Sequence, residues 1–114
     1  MAKLKQLAQE IAEKGTKVIF RKFPDGEIIA LFPELPGDMK VNHCLSYLHI
    51  GQHGCADTAI YYDTKPIKFA DIEGQNATNF LCRELTAIGY NLTVVSRFSY
   101  QMDQKRIAAL RGTK

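Results

Sequence analysis

Between Lys17 and Phe32 two runs rich in β-forming residues, KVIFRKF and EIIALF, flank Pro24-Asp25-Gly26. Proline presets φ for a turn, aspartate bonds its own backbone and glycine takes the left-handed position. The segment is therefore predicted to be a β-hairpin, which commits the chain to a sheet with antiparallel connections. With 114 residues, 46% of them hydrophobic and 24% charged, there is room for one domain and one core.

The rest of the chain is read around that hairpin. Leu4, Leu7, Ala8, Ile11 and Ala12 have helical spacing before Gly15, so residues 1–15 are expected to form an amphipathic helical extension to a single α+β domain over 16–114. Pro33 to Asp38 reads as a loop, and Cys44–Ile50 as a third strand with Leu45, Tyr47 and His49 on one face. Gly51-Gln52-His53-Gly54 reads as a flexible loop, and Cys55–Tyr62 is open between helix and extended chain. A helix is predicted from about Asn76, as its cap, to Ile88, with Ala77, Phe80, Leu81, Leu85 and Ile88 inward and Gly89 closing it. Asn91–Phe98 is a predicted fourth strand and Tyr100–Leu110 a last, basic helix. The expected fold is α+β: a small, mainly antiparallel sheet of about four strands with helices packed on one face.

Charge narrows the function. The net charge of +3 is unevenly spread: residues 97–114 carry +4, so the preceding chain carries −1. A local basic segment suits an anion such as phosphate or a nucleotide, or else a solvated helix end favoured by its own dipole. No apolar run approaches the ~20 residues of a membrane span. The N-terminus lacks the apolar stretch of a secretory signal. Three cysteines without a regular framework suggest reduced thiols. A cytoplasmic protein without a membrane partner is expected.

Catalytic and metal chemistry find little support. His43, His49 and His53 lie at spacings of six and four, near Cys44 and Cys55. On one strand, His43 and His49 would stand about 20 Å apart, too far for one ion. Neither Cys-x-x-Cys nor His-Glu-x-x-His occurs, so no metal, cofactor or catalytic residue is expected. His43 and Cys44 are strand neighbours and would point to opposite faces, and Cys82 beside Phe80 and Leu81 reads as an inert thiol. Gln52 and His53, between two glycines, are candidate contacts to a ribose, base or phosphate. Arg106 and Arg111 on the last helix are candidate phosphate ligands, because a guanidinium fork matches two oxygens. They are five residues apart and so lie about 140° apart around the helix.

VIFRKFPDGEIIALFPELPGD (18–38), CLSYLHIGQHGCADTAIYYDTKP (44–66) and ELTAIGYNLTVVSRF (84–98) together resemble a group of small phage and prophage proteins. The group is identified as the phage Thoeris anti-defence family, sponges that sequester cyclic ADP-ribose isomers and in some members cyclic oligonucleotides. The resemblance implies a non-catalytic binder, a homodimer or higher homo-oligomer with its nucleotide pocket between subunits. By position it makes Arg106 and Arg111 the phosphate ligands, Asn91 the base and ribose asparagine, and Phe80 the aromatic contact. The segment before Thr16 is an extension relative to this pattern, and residues 67–75 are longer than its usual linker. Two alternatives stand beside it. A nucleic-acid-binding protein predicts a broad basic surface, which the acidic balance of residues 1–96 does not favour. A nucleotide-modifying enzyme would use His49 or His53 as acid or base.

Overall fold

A computed structural model describes residues 15–48 and 52–111. The predicted N-terminal helix, His49, Ile50 and Gly51 lie outside the described residues. The described elements are β1 (Thr16–Lys22), β2 (Ile28–Pro36), β3 (His43–Leu48), β4 (Gln52–Asp57), α1 (Ile60–Asp63), α2 (Ile72–Ala87), β5 (Leu92–Val94) and α3 (Tyr100–Arg111). They build one five-stranded sheet in the order β4-β3-β2-β1-β5, antiparallel except for the β1–β5 pair.

The hairpin forms as its turn chemistry dictates. Gly26 takes φ +95°, Asp25 Oδ1 accepts from the Glu27 amide at 2.9 Å, and Ile19 pairs with Leu31. β1 and β2 bury side chains of both parities because both faces are covered. Val18, Phe20, Ala30 and Phe32 join Tyr47, Leu81 and Leu85 of α2 in one core layer. Ile19, Ile29, Leu31, Cys44 and Ala56 form the other, against Ile60, Tyr61 and Phe98. A register shift between Phe32 and Pro36 bends the end of β2, as bulges do.

The α+β class and the mainly antiparallel sheet agree with the expectation. The sheet has a fifth strand, and the helices divide between its faces. α3 is fastened to the face opposite α2: Arg106 donates to the Pro33 carbonyl at 3.0 Å and Lys105 pairs with Glu34 at 3.5 Å. Ser99 caps it, with Oγ accepting from the Met102 amide at 3.2 Å. α1 is held by buried Arg21, which donates to the Tyr61 and Thr64 carbonyls and lies over the Tyr61 ring at 4.2 Å.

Four element boundaries differ from the expectation for physical reasons. The predicted 33–38 loop is strand as far as Pro36, because β2 resumes pairing after its register shift, Pro36 opposite Cys44. The described part of the predicted 51–54 loop is strand: residues 52–57 pair antiparallel with β3, His53 opposite Tyr47 and Asp57 opposite His43. α2 begins four residues before Asn76, because Asp71 rather than Asn76 caps it, accepting from the Gly74 amide at 3.0 Å. Gly89 closes it as expected, at φ +114°. Phe80 and Ile88 are exposed rather than inward, while Leu81 and Leu85 are fully buried. The fourth predicted strand shrinks to Leu92–Val94, which pairs parallel with β1.

Candidate functional site

The residues singled out from the sequence do not converge on one point. Arg106 is 1% exposed and spends its guanidinium inside the protein, on the Pro33 and Val41 carbonyls and the Asp103 carboxylate. It is a positioning group for α3, corrected from a free phosphate ligand. Arg111 is exposed on the last turn of the same helix. Asn91 is exposed just before β5, and its carbonyl accepts from the Thr16 amide at 2.6 Å. Phe80 lies on the outer side of α2, 42% exposed. Gln52 opens β4 opposite Leu48.

His53 sits in a cluster that the sheet pairing creates. Its Nε2 lies 2.9 Å from the Tyr90 hydroxyl, and its ring meets Tyr47 edge-on at 4.9 Å. Tyr90 in turn stacks on Phe32 at 5.0 Å, with 18° between the rings. Tyr47 donates to Glu84 Oε1 at 2.6 Å, and this bond above all raises the phenol above its ordinary value. Burial raises Tyr90 in the same direction. Both phenols therefore keep their protons at neutral pH. The cluster holds His53 in place and stacks three aromatic rings, but its proton donors are tightly held.

The thiols are equally unreactive by environment. Burial pushes Cys44 up to about 11 and raises Cys82 as well. Cys55 is exposed, and its hydrogen bond to Asp38 raises it. A raised thiol has little thiolate at neutral pH, the opposite of what a nucleophile requires.

Among the described residues, two of the surface grooves are told apart by their charges. The larger, about 670 Å³, has Ile29, Ser46 and Gly54 on its floor and Asp25 and Glu27 at its rim. An acidic rim over an apolar floor repels phosphate. The second, about 530 Å³, lies between the hairpin tip and the segment leading to α2, with Lys22, Lys65, Lys68, Phe23 and Asp63 among its walls. Its geometry has a clear origin. Lys22 and Lys65 exchange two backbone hydrogen bonds, at 2.8 and 3.0 Å, which clamp the hairpin tip to the 64–71 segment. Asp71 closes the floor by pairing with Lys22 at 2.6 Å while it caps α2. Lys22 first, then the Gly74 amide, holds the Asp71 carboxyl below its usual range. Lys65 and Lys68 make no ion pair with a described residue. Beside them in the chain stand Tyr62 and Phe69, 77% and 97% exposed.

These lysines were missed in the sequence because they are 43 residues apart and only the Lys22–Lys65 bridge unites them. The visible signal was the aromatic-and-lysine alternation from Tyr61 to Phe69. Fold and surface together define a small α+β protein with a cationic groove at one end of its hairpin and a polar, aromatic edge along β3 and β4. No protein-family model, curated protein or solved structure matches the chain. No helix among the described residues is long and apolar enough to cross a membrane.

Proposed function

We propose that the protein is a non-catalytic sponge that binds a cyclic nucleotide signal, a cyclic ADP-ribose isomer or a cyclic oligonucleotide, and holds it intact. The observation that carries this reading is the 530 Å³ groove with Lys22, Lys65 and Lys68 in its walls. Its volume is that of a small-molecule site. Two of its ammonium groups are available to phosphates, the Phe23 ring lines it, and the exposed Tyr62 and Phe69 adjoin its lining residues Asp63 and Lys68 in the chain as further candidates for base stacking. The tightly held protons of Tyr47 and Tyr90 and the raised thiols support retention of the ligand rather than turnover. Self-association belongs to the proposal, as in the sponge family the sequence resembles, with Ile72, 73% exposed, extending the apolar surface beside the groove.

The deciding experiment is calorimetric titration with cyclic ADP-ribose isomers and cyclic di- and trinucleotides, followed by heat release and mass analysis of the ligand. Saturable binding with intact ligand recovered is the expected result. An altered ligand would make the protein an enzyme, with His53 the first residue to substitute. Absence of binding to every nucleotide, with salt-steep binding to an oligonucleotide instead, would replace the sponge with a nucleic-acid-binding protein.

A further inference from the structure

At the opposite end of the sheet from the lysine groove, three residues of different chemistry meet. Asp38, His43 and Cys55 each bring one ligand atom to within 4.8 Å of the other two. His43 alternates onto the same face of β3 as Leu45, and Cys55 is paired with Leu45 on β4, so the sheet register makes His43 and Cys55 diagonal neighbours. The loop between β2 and β3 supplies Asp38. It lies against β4 because residue 37 is glycine: a Cβ there would stand 2.6 Å from Cys55 Cβ and 2.6 Å from the Cys44 carbonyl oxygen. The loop is closed on itself by His43 N to Lys40 O, 3.1 Å, and Gly37 N to His43 O, 3.3 Å. Asp38 is oriented through both oxygens, Oδ1 accepting from the Lys40 amide at 2.8 Å and Oδ2 meeting His43 Nδ1 at 2.9 Å.

From this arrangement we infer that Asp38, His43 and Cys55 form a binding site for a borderline-soft divalent cation, zinc being the natural occupant. Thiolate, imidazole and carboxylate together select zinc or cobalt over magnesium and calcium, which take all-oxygen sites. Three protein ligands leave a fourth tetrahedral position for water or another small donor. Neighbouring Asp57 is held elsewhere, on Asn42 at 3.0 Å and the Ala59 amide at 2.9 Å, and is not among the groups that meet within 4.8 Å. On binding, the Cys55 thiol proton, donated toward the Asp38 carboxylate in the free protein, leaves to solvent and the thiolate sulfur takes the metal. No electron changes hands. The ion ties the 37–42 loop to the β4 edge.

The test uses the full chain, kept reduced, and Co²⁺ as an optical probe with Zn²⁺ in competition. The expected result is one Co²⁺ per chain with thiolate-to-cobalt absorption in the near ultraviolet, displaced by Zn²⁺. Cys55→Ser abolishes the absorption and weakens Zn²⁺ by more than the about 10–100-fold that loss of an outer-shell partner costs. Cys82→Ser keeps both. Asp38→Asn, which leaves every thiol in place, also weakens binding and guards against a folding defect in the cysteine variant. Absence of saturable binding in the wild type, or unchanged absorption in Cys55→Ser, overturns the site. Neither result touches the lysine groove, so nucleotide binding stands or falls separately.

Discussion

An arginine 1% exposed on a helix finds its partners within the protein, and Arg106 donates through Nη1 and Nη2 to two carbonyls and a carboxylate while its buried Nε has no partner among the described residues. Arg106→Ala leaves the Pro33 and Val41 carbonyls without these donors, at an expected cost of about 2–4 kcal/mol in urea denaturation. Arg111→Ala, exposed, should stay within about 0.5 kcal/mol. The two arginines looked alike in the sequence, five apart on one basic helix. Their different sides of the helix meet different surroundings: the Pro33 and Val41 carbonyls face Arg106 from outside α3, and nothing local to α3 encodes their positions. Asp71 carries a prediction in pH. Lys22 holds its carboxyl low in the folded protein, so the stabilisation is complete above the ordinary carboxylate range and is lost as pH falls through the folded value. Urea midpoints taken from pH 6 downward should therefore fall more steeply for wild type than for Asp71→Asn, whose oxygen can still accept from Gly74.

Elements with strong local chemistry were readable in advance: the hairpin from its Pro-Asp-Gly turn and the third strand from its alternation, with α3 expected as a last, basic helix. β4 was hidden because QHGCAD has no β-branched residue and two small ones, Gly54 and Ala56, on the face toward the apolar-floored groove. Its strand conformation comes from six paired positions along β3, a long-range cause invisible to local propensity. The start of α2 was hidden in the same way, since Gly74 reads as a breaker. It is tolerated because a Cβ there would stand 2.5 Å from the capping Asp71 oxygen. At Gly37 the crowding atoms include backbone and cannot yield. Gly37→Ala should cost about 1–3 kcal/mol in urea denaturation. It should also lift the 37–42 loop off β4 and lower Co²⁺ affinity, which the same absorption titration reads.

Over the whole molecule the sequence located positive charge at the C-terminal end, yet Arg106 is internal and the open cationic groove is assembled from residues 22, 65 and 68. The groove on which the proposed nucleotide binding rests needed the fold, since no local pattern joins residue 22 to residues 65 and 68. Lys65→Ala with Lys68→Ala should weaken nucleotide binding about thirtyfold, at about 1 kcal/mol for each partly solvated contact, and should flatten its salt dependence, both read by calorimetry. The sheet order has a consequence for biosynthesis. β1 lies between β2 and β5, and Thr16 pairs with Leu92. The hairpin therefore leaves the ribosome with apolar side chains on both faces, Val18, Phe20 and Phe32 on one and Ile19, Ile29 and Leu31 on the other. Its covers, α2, β5 and α3, are translated after it. At about 5–20 residues per second the nascent hairpin stays sticky for several seconds, a standing invitation to chaperones and to a second nascent copy on the same message.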